Sequence, residues 1–459
     1  MTEPMELAGK RAVVVGLART GVATAQFLAA RGAQVTASEL RPEKEVAAAA
    51  AELRARGVGV ECGGHREAAF LGAELIVPSP GVPLDLPVLQ KARRKGIEII
   101  SELELAWRFL RGTVVAVTGS NGKTTTTALL GRIFSQAGRR TQVGGNIGTP
   151  LIALVESATD ETVNVVEVSS FQLEAISSFR PRVAALLNIT PDHLDRHASM
   201  REYVAAKARL FGYQQGEDFA IFNADDSLSA DLAPEVRAQR FWFSRRRRVD
   251  VGAYVENGAI IFSNGPARER VLDRNLIRLK GEHNLENVLA AVCAARLLGV
   301  GPDAIREAVS GFEGVEHRLE FVAEIDGVRY YNDSKATNVD AALKAVAAFS
   351  GQLIVILGGK DKGGDFRPLR EALRQRAKRV LLIGAAQEKI AAQLAGGAPL
   401  ESLDTVAQAV ARAGELAAAG DTVLLAPGCA SFDQFENFEH RGRVFKQEVR
   451  RIPAVRQAR

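Results

Sequence analysis

The sequence has little cysteine and no long apolar run. Its three cysteines, Cys62, Cys293 and Cys429, are odd in number and far apart. This spacing excludes a disulfide framework and a C-x-x-C zinc site, so we expect reduced, buried thiols. No apolar stretch reaches the roughly 18 residues of a membrane span, and the first residues lack the basic and apolar parts of a signal peptide. We therefore expect a soluble, cytoplasmic protein with no membrane partner.

The charge balance is mild, with a formal net charge of +5 on 459 residues. The basic run Arg245 to Arg248 has no interleaved aromatic residues that could stack on bases, so we expect a solvated loop and no nucleic-acid partner. A small positive excess does suit an anionic small substrate.

Short apolar runs alternate with helical segments along the whole chain. This alternation is typical of parallel sheets covered by helices on both faces. With 47% hydrophobic residues the chain is large enough for several cores. We predict three consecutive α/β domains at residues 1–110, 111–314 and 315–459: a Rossmann-like N-terminal domain, a central P-loop-type ATPase domain and a Rossmann-like C-terminal domain.

The most informative segment is a buried strand that ends in a glycine-rich loop, a lysine and threonines. Glycines let backbone N–H groups surround phosphate oxygens, Lys123 supplies a cation for the β- and γ-phosphates, and the Thr124 hydroxyl can bind Mg²⁺. Val117 stands where the usual first glycine would be, so the loop is a variant. The sequence therefore predicts an ATP site built from Gly119, Ser120, Asn121, Gly122, Lys123, Thr124 and Thr125.

A second glycine-containing turn lies near the start, between two predicted strands. It resembles a dinucleotide-binding fingerprint, but Ala18 replaces the middle glycine and blocks the closest approach to a pyrophosphate. Glu39 ends the second strand and Arg41 follows it. These features favour a nucleotide-linked molecule over NAD, although a nicotinamide oxidoreductase is an alternative. The turn comprises Gly16, Leu17, Ala18, Arg19, Thr20 and Gly21.

Polar residues follow two strands of the central domain. Glu167 ends one strand, and Asp192 with His193 follows another. Oxygen and nitrogen ligands near a phosphate loop suit Mg²⁺, although Glu167 alone would be read as a salt bridge or helix cap. His193 and His197 could form a zinc pair on a helix, but a leucine stands where such motifs have glutamate.

The third domain carries polar segments directly after three strands. They comprise residues 332–338, 358–364 and 428–435, preceded by His317 and Arg318. Because the carboxyl ends of parallel strands meet at one edge of a sheet, we expect these segments to converge on a ligand.

Five separated segments together resemble the Mur ligases of peptidoglycan synthesis. The resemblance covers essentially the whole chain and is far more specific than the phosphate loop alone. The segments are residues 118–125 (TGSNGKTT), 144–148 (GGNIG), 167–173 (EVSSFQL), 332–338 (NDSKATN) and 431–435 (SFDQF).

The resemblance implies an ATP-dependent amide ligation. ATP would phosphorylate the terminal carboxylate of UDP-N-acetylmuramoyl-L-alanine, and the amine of D-glutamate would attack the acyl phosphate. The implied cofactors are ATP and two Mg²⁺ ions, the implied partners are these small molecules, and we expect a monomer.

The resemblance also implies roles for individual residues. Lys123, Glu167, His193 and Lys207 would be catalytic, with Lys207 carbamylated; by sequence alone Lys207 would be a solvated lysine. The metal ligands would be Thr124, Glu167, His193 and the Lys207 carbamate. Beyond the phosphate loop, ATP would contact Asn284, Asn287, Arg318 and Asp333. The UDP substrate would contact Gly16 to Thr20, Arg41, Gly81, Asn146 and Ser169. D-glutamate would contact Lys335, Thr337, Lys362, Ser431 and Phe438.

Other functions stay open at this point. The nearest alternatives are a Mur ligase that adds another amino acid and a folylpolyglutamate synthase. The short N-terminal turn and the cationic Lys362 favour an acidic amino acid. A regulatory nucleotide-binding module without catalysis is a third class, which phosphate release dependent on both substrates would exclude.

Overall fold

A computed structural model of the protein describes residues 5–193 and 196–452. Its strands form three sheets that follow one another along the chain. Helices flank each sheet, because its central strands are apolar on both faces and must be covered. The predicted three-domain α/β architecture is confirmed.

The N-terminal domain has a parallel sheet with strand order β3-β2-β1-β4-β5. The predicted βαβ opening is β1, α1 and β2. The strands are β1 (Arg11–Val15), β2 (Gln34–Glu39), β3 (Gly59–Cys62), β4 (Leu75–Pro78) and β5 (Glu98–Ile99). The helices are α1 (Arg19–Ala30), α2 (Glu43–Arg54), α3 (Glu67–Leu71), α4 (Pro87–Arg94) and α5 (Glu102–Trp107).

The central domain has strand order β14-β13-β12-β11-β10-β9-β6-β8-β7. The strands are β6 (Thr113–Thr118), β7 (Thr141–Gly145), β8 (Val163–Glu167), β9 (Val183–Leu186), β10 (Phe219–Asn223), β11 (Gln239–Ser244), β12 (Val251–Glu256), β13 (Ala259–Asn264) and β14 (Arg268–Asp273). The helices are α6 (Lys123–Gln136), α7 (Ser170–Leu173), α8 (Met200–Ala208), α9 (Ser227–Ala230), α10 (Glu282–Leu297) and α11 (Pro302–Ser310).

The C-terminal domain has strand order β15-β16-β20-β17-β18-β19. The strands are β15 (Glu320–Ile325), β16 (Val328–Asn332), β17 (Leu353–Gly358), β18 (Ala377–Ile383), β19 (Leu400–Ser402) and β20 (Thr422–Leu425). The helices are α12 (Val339–Ala347), α13 (Leu369–Arg376), α14 (Gln387–Leu394), α15 (Val406–Leu416) and α16 (Phe438–Arg451).

The predicted parallel pairing holds for the central strands, and two sheet edges add antiparallel strands that the sequence analysis did not predict. Strands β12, β13 and β14 pair antiparallel, and so do β15 and β16. Short hairpin connections allow antiparallel pairing without a crossover helix. The expectation of buried thiols is wrong for Cys62, which is only partly buried, whereas Cys293 and Cys429 are buried.

The domains are joined in two different ways. One buried apolar cluster contains residues of both the N-terminal and the central domain. The buried clusters of the C-terminal domain, in contrast, contain no central-domain residue within the described ranges. The described helices include none that is long and apolar enough to cross a membrane.

Candidate active site

The phosphate loop joins β6 to α6 at the centre of the molecule. Gly119 and Gly122 both have positive φ, +152° and +88°. A Cβ at Gly122 would lie 2.1 Å from Asn287 Oδ1, so this position has no room for a side chain. The Asn188 side chain fixes the loop backbone at Asn121. Its Oδ1 accepts from the Asn121 backbone N–H at 2.9 Å, and its Nδ2 donates to the Asn121 carbonyl at 3.0 Å.

Two lysines converge on one carbonyl of this loop. Lys123 Nζ donates to the Gly119 carbonyl at 2.8 Å, and Lys207 Nζ donates to the same oxygen at 2.9 Å. Lys207 is only 1% exposed, so the interpretation of a solvated lysine is wrong. Burial, together with the charge of Lys123, holds the pKa of Lys207 well below its usual value. Both effects favour the neutral amine.

A buried carboxylate lies beside the loop. Glu167 ends β8, and its two oxygens accept from Thr124 Oγ1 at 2.8 Å and from Asn146 Nδ2 at 2.9 Å. Burial alone would raise the pKa of Glu167, but the positive charges of Lys335 and Lys123 hold it below its usual value. The side chain is therefore ionised, and its partners are hydroxyl and amide groups that suit a hard cation site.

His193 completes this side of the site. Its backbone has a φ of +54°, and burial lowers the pKa of the imidazole to about 4. The ring is thus neutral near pH 7 and has a lone pair for a metal ion or a proton. His197 contacts Ser170 Oγ through Nε2 at 3.0 Å, and the segment between the two histidines includes residues outside the described ranges. The zinc-pair alternative gains no support.

A narrow cleft continues from the loop towards α10. Asn287 Nδ2 donates to Asn284 Oδ1 at 2.9 Å, and Asn284 Nδ2 donates to the Lys280 carbonyl at 2.6 Å. Burial raises the pKa of Asp333 to about 6. The cleft is lined by Asn121, Gly122, Asn188, His283, Asn287, Arg318, Asp333, Ala341 and Lys344. It therefore brings together residues of the central and C-terminal domains, including five of the eleven predicted ATP contacts.

The N-terminal turn forms a separate cavity. Glu39 accepts from the Leu17 backbone N–H at 2.7 Å and from Arg41 through its backbone and guanidinium. Burial opposes ionisation of Glu39, but these bonds lower its pKa to about 2. A Cβ at Gly21 would lie 1.8 Å from the Gly16 carbonyl, which explains the glycine. The cavity of ≈ 460 Å³ is lined by Leu17, Ala18, Arg41 and residues 44–49.

The remaining predicted contacts of the UDP substrate lie elsewhere. Asn146 is bonded to Glu167 at the phosphate loop, and Ser169 caps α7. The Gly81 carbonyl faces Arg196 Nη1 at 3.4 Å. The predicted UDP-substrate contacts are thus divided between the N-terminal cavity and residues near the phosphate loop.

The three polar segments of the C-terminal domain meet as expected. The Gly428 backbone N–H donates to the Ala336 carbonyl at 2.8 Å, and Lys360 pairs with Ala430 through two backbone bonds. Four hydrogen bonds from the buried Arg441 fasten Ser334, Cys429 and Ala430 together.

The predicted D-glutamate contacts separate into two groups. Thr337 and Lys362 line a cavity of ≈ 420 Å³ that faces Asp192 and His193 across the domain boundary. Lys335, Ser431 and Phe438 are not among its lining residues. Lys335 Nζ lies 4.8 Å from the Phe438 ring, and its charge acts on Glu167. This places Lys335 nearer the phosphate end than we expected.

Sequence reasoning missed residues that join the domains at this site. Asp340 accepts from Asn121 of the phosphate loop, and Lys344 and His283 line the cleft. Asp340 and Lys344 lie one helical turn apart at the start of α12, directly after the polar segment 332–338. That spacing is the only signal the sequence offered, and most such pairs are solvent-exposed.

Models of known families match the chain in three successive ranges. They are described as the MurD-like N-terminal domain of Mur ligases at residues 10–101, the Mur ligase middle domain at 117–295 and the Mur ligase glutamate ligase domain at 317–429. A relative from Acidobacterium capsulatum is 55% identical over 97% of this chain and 97% of its own length. The chain belongs to the Mur ligase family. The resemblance in the sequence is thereby confirmed.

Other Mur ligases are similar in sequence or in fold. A relative from Koribacter versatilis is 50% identical over 98% of this chain and 99% of its own length. Both this relative and that from A. capsulatum are named UDP-N-acetylmuramoylalanine--D-glutamate ligase. Mur ligases use ATP and act on small-molecule substrates.

Solved structures of the family share the fold. UDP-N-acetylmuramate-alanine ligase MurC from Thermotoga maritima has a TM-score of 0.61 at 19% identity, covering 96% of this chain and 99% of its own. MurF from Acinetobacter baumannii has a TM-score of 0.59 at 18% identity, covering 97% of this chain and 93% of its own.

Proposed function

We propose that this protein is an ATP-dependent ligase that joins D-glutamate to UDP-N-acetylmuramoyl-L-alanine. The observation that carries the proposal is the 55% identity, over nearly the full length of both chains, to a relative named for this reaction. The buried phosphate loop, carboxylate and lysines described above supply the groups that such a ligation needs.

The reaction runs in two steps. The terminal L-alanine carboxylate attacks the γ-phosphorus of ATP, which forms an acyl phosphate and releases ADP. The amine of D-glutamate then attacks the acyl carbon, loses a proton, and the tetrahedral intermediate expels phosphate as the amide bond forms. Both steps bring anions together, so cationic groups fixed before the reaction lower the barrier.

The proposed division of labour follows the three domains, with boundaries at 110/111 and 314/315. The N-terminal cavity would hold the UDP end, the central domain would hold ATP, and the C-terminal domain would supply D-glutamate contacts. We propose the following roles. ATP contacts are Gly119 to Thr125, Asn284, Asn287, Arg318 and Asp333; UDP-substrate contacts are Gly16 to Thr20, Arg41, Gly81, Asn146 and Ser169; D-glutamate contacts are Lys335, Thr337, Lys362, Ser431 and Phe438.

The donor set beside the phosphate loop fits Mg²⁺. Thr124 and Glu167 offer oxygen, His193 is neutral, and a carbamate on Lys207 would add two further oxygens. Bound Mg²⁺ would neutralise charge on the transferring phosphoryl group. The chain's own contribution is to hold both groups at fixed positions and to lower the pKa of Glu167 and of Lys207, which favours the ionised carboxylate and the neutral amine.

Lys362 provides a direct test of the amino-acid site. Its Nζ donates to Asp192 Oδ1 at 3.1 Å, within reach of the cavity that Thr337 also lines. We expect Lys362→Ala to raise the KM for D-glutamate by about tenfold or more, because a charge-assisted hydrogen bond contributes roughly 1.5–3 kcal/mol. The KM for ATP should stay nearly unchanged. Steady-state phosphate release measures both constants. The control is Lys95→Ala, which changes an exposed lysine of the N-terminal domain.

An unchanged KM for D-glutamate in Lys362→Ala would remove this residue from the amino-acid site. A rise in the KM for ATP alone would assign Lys362 to the nucleotide instead.

A further inference from the structure

The C-terminal domain meets the central domain at the active site through polar contacts. Its buried apolar clusters include no described residue of the central domain. An interface without an apolar core holds its partners weakly, so the individual hydrogen bonds decide their register. The residues that form these bonds therefore determine how the substrate-binding surfaces of the two domains are aligned.

Asp340 forms one of these contacts. Its Oδ2 accepts from Asn121 Nδ2 at 2.5 Å and from Thr190 Oγ1 at 3.2 Å. Asn121 precedes Gly122 and Lys123 in the phosphate loop, and its backbone is already held by Asn188. The bond from Asp340 therefore reaches the phosphate loop itself.

Asp340 is held in place by its own helix. It is the second residue of α12, and Lys344, one turn later, donates to the same Oδ2 at 2.8 Å. The helix N-cap is Asn338, whose Oδ1 accepts from the Ala341 backbone N–H at 2.8 Å. Asp340 is thus not needed as the cap, and its carboxylate is directed across the domain boundary.

A second bridge runs in the opposite direction. Asp192 of the central domain accepts from Asn338 Nδ2 at 2.9 Å and from Lys362 Nζ at 3.1 Å. Each domain therefore presents one carboxylate to the other. The contacts on the C-terminal domain include Asn338 and Asp340, at the start of α12. Because Lys362 lies on a different segment from Asp340, the two bridges together restrict rotation that a single bridge would allow.

We propose that Asp340 is a positioning residue, which aligns the C-terminal domain with the phosphate loop through Asn121 and Thr190. Asp340 also lines the cavity that contains Thr337 and Lys362, and we assign its carboxylate no chemical role in the reaction. It places the amino-acid site of one domain at a fixed distance from the phosphoryl-transfer site of the other, and such alignment lowers the barrier of a reaction between bound groups. The kinetic part of this inference rests on the proposed function.

The experiment compares Asp340→Ala with a matched control. Asp303→Ala removes an aspartate from the same position of α11, another nine-residue helix, where the carboxylate pairs with Arg306 and contacts no other domain. Spin labels at two exposed sites, Asp231 and Glu388, report the distance between the domains in a Cys62→Ser background. Distances are measured by pulsed electron resonance with a non-hydrolysable ATP analogue.

In the wild type and in Asp303→Ala we expect one narrow distance distribution. In Asp340→Ala we expect a broader distribution shifted to longer distances. Thr190→Val should broaden the wild-type distribution but add nothing in the Asp340→Ala background, because both changes remove the same bond. A wild-type distribution in Asp340→Ala would overturn the proposal, and so would additive effects of the two changes.

Kinetics provide the second measurement. We expect Asp340→Ala to lower kcat by about tenfold or more, since a hydrogen bond to a charged group is lost, and Asp340→Asn to retain more activity because its amide oxygen can still accept. Unchanged kcat in a folded Asp340→Ala variant would overturn the proposal. The distance measurement requires no amino-acid substrate, so a wrong substrate assignment would leave it intact.

Discussion

At the scale of single residues, Lys207 departs furthest from what its type predicts. An ammonium group is rarely buried without a carboxylate partner, because removing its charge from water is costly. Lys207 is 1% exposed, and its described hydrogen bond goes to a backbone carbonyl. Burial and the nearby Lys123 hold its pKa well below the usual value. The site therefore favours the neutral amine, which is the form that reacts with CO₂.

Lys207→Ala should be inactive and partly restored by small carboxylates such as formate or acetate. The reason is that the added anion would replace the oxygens of a lysine carbamate beside Glu167. Phosphate release with increasing carboxylate concentration measures the rescue. Lys123→Ala is the matched control, because Lys123 donates to the same Gly119 carbonyl but is expected to act as a cation, so carboxylates should not restore it.

Full activity of Lys207→Ala without added carboxylate would contradict carbamylation. Carbon-13 NMR of the enzyme in labelled bicarbonate gives an independent measurement, and the absence of a carbamate signal in the active enzyme would contradict it as well.

At the scale of elements, α6 has a glycine in the left-handed conformation at each end, one in a crowded site and one in open space. Gly122 precedes the helix and Gly138 follows it, with φ of +88° and +71°. A Cβ at Gly138 meets nothing within 4 Å, whereas one at Gly122 would lie 2.1 Å from Asn287 Oδ1. Both glycines adopt the left-handed conformation, but only at Gly122 would a side chain also clash with a neighbouring residue.

Gly138→Ala should therefore destabilise the protein by about 1–2 kcal/mol, the usual cost of a left-handed residue with a side chain. Gly122→Ala should cost more and should also weaken ATP binding, because the phosphate loop or Asn287 must move. Urea unfolding and calorimetric titration with ATP measure the two effects. Equal losses of stability with unchanged ATP affinity in both variants would show that Asn287 does not confine the loop.

Helix α5 contributes a pH-dependent term to stability. Glu102 is buried where this helix contacts the central domain, and its Oε1 accepts from the Ile152 backbone N–H at 2.7 Å. Burial raises its pKa to about 7, above the unfolded value. Its contribution to stability is therefore fully present below about pH 4, the unfolded value, and is lost as the pH rises through about 7.

Glu102→Gln should flatten this dependence. Between about pH 5 and pH 8 the free energy of unfolding of the wild type should fall relative to that of the variant. Urea unfolding across this range provides the measurement, with the solvent-exposed Glu67→Gln as a control that keeps the wild-type slope. Parallel curves for the wild type and Glu102→Gln would indicate that Glu102 stays ionised throughout.

Local patterns predicted the elements that carry the site, and they failed at antiparallel edge strands and at a buried polar side chain. The run that ends in Gly122 and Lys123 predicted β6, the loop and α6 because strand, turn and helix signals are contiguous. The hairpins of β12 to β14 were missed, since antiparallel edges need no helix to mark them. Lys207 was assigned to solvent, because the sequence does not show which side of α8 is covered.

At the scale of the whole molecule, the two domain boundaries differ in the kind of contact that holds them. The N-terminal domain shares an apolar core with the central domain, while polar bridges hold the C-terminal domain. The N-terminal and central domains are thus joined by an apolar core, and we expect any domain movement to occur at the polar boundary with the C-terminal domain. These interdomain contacts could not be predicted, because Asp340 is far in sequence from its partners.

The most direct test of the proposed function is phosphate release from ATP with UDP-N-acetylmuramoyl-L-alanine and a panel of amino acids. D-glutamate should support the fastest release, and neutral or cationic amino acids should support little. Lys362 already pairs with Asp192, so neutral or cationic amino acids would lose only the charge-assisted hydrogen bond from Lys362, roughly 1.5–3 kcal/mol. Faster release with L-alanine or L-lysine than with D-glutamate would contradict the proposal and assign the chain to another reaction of the family.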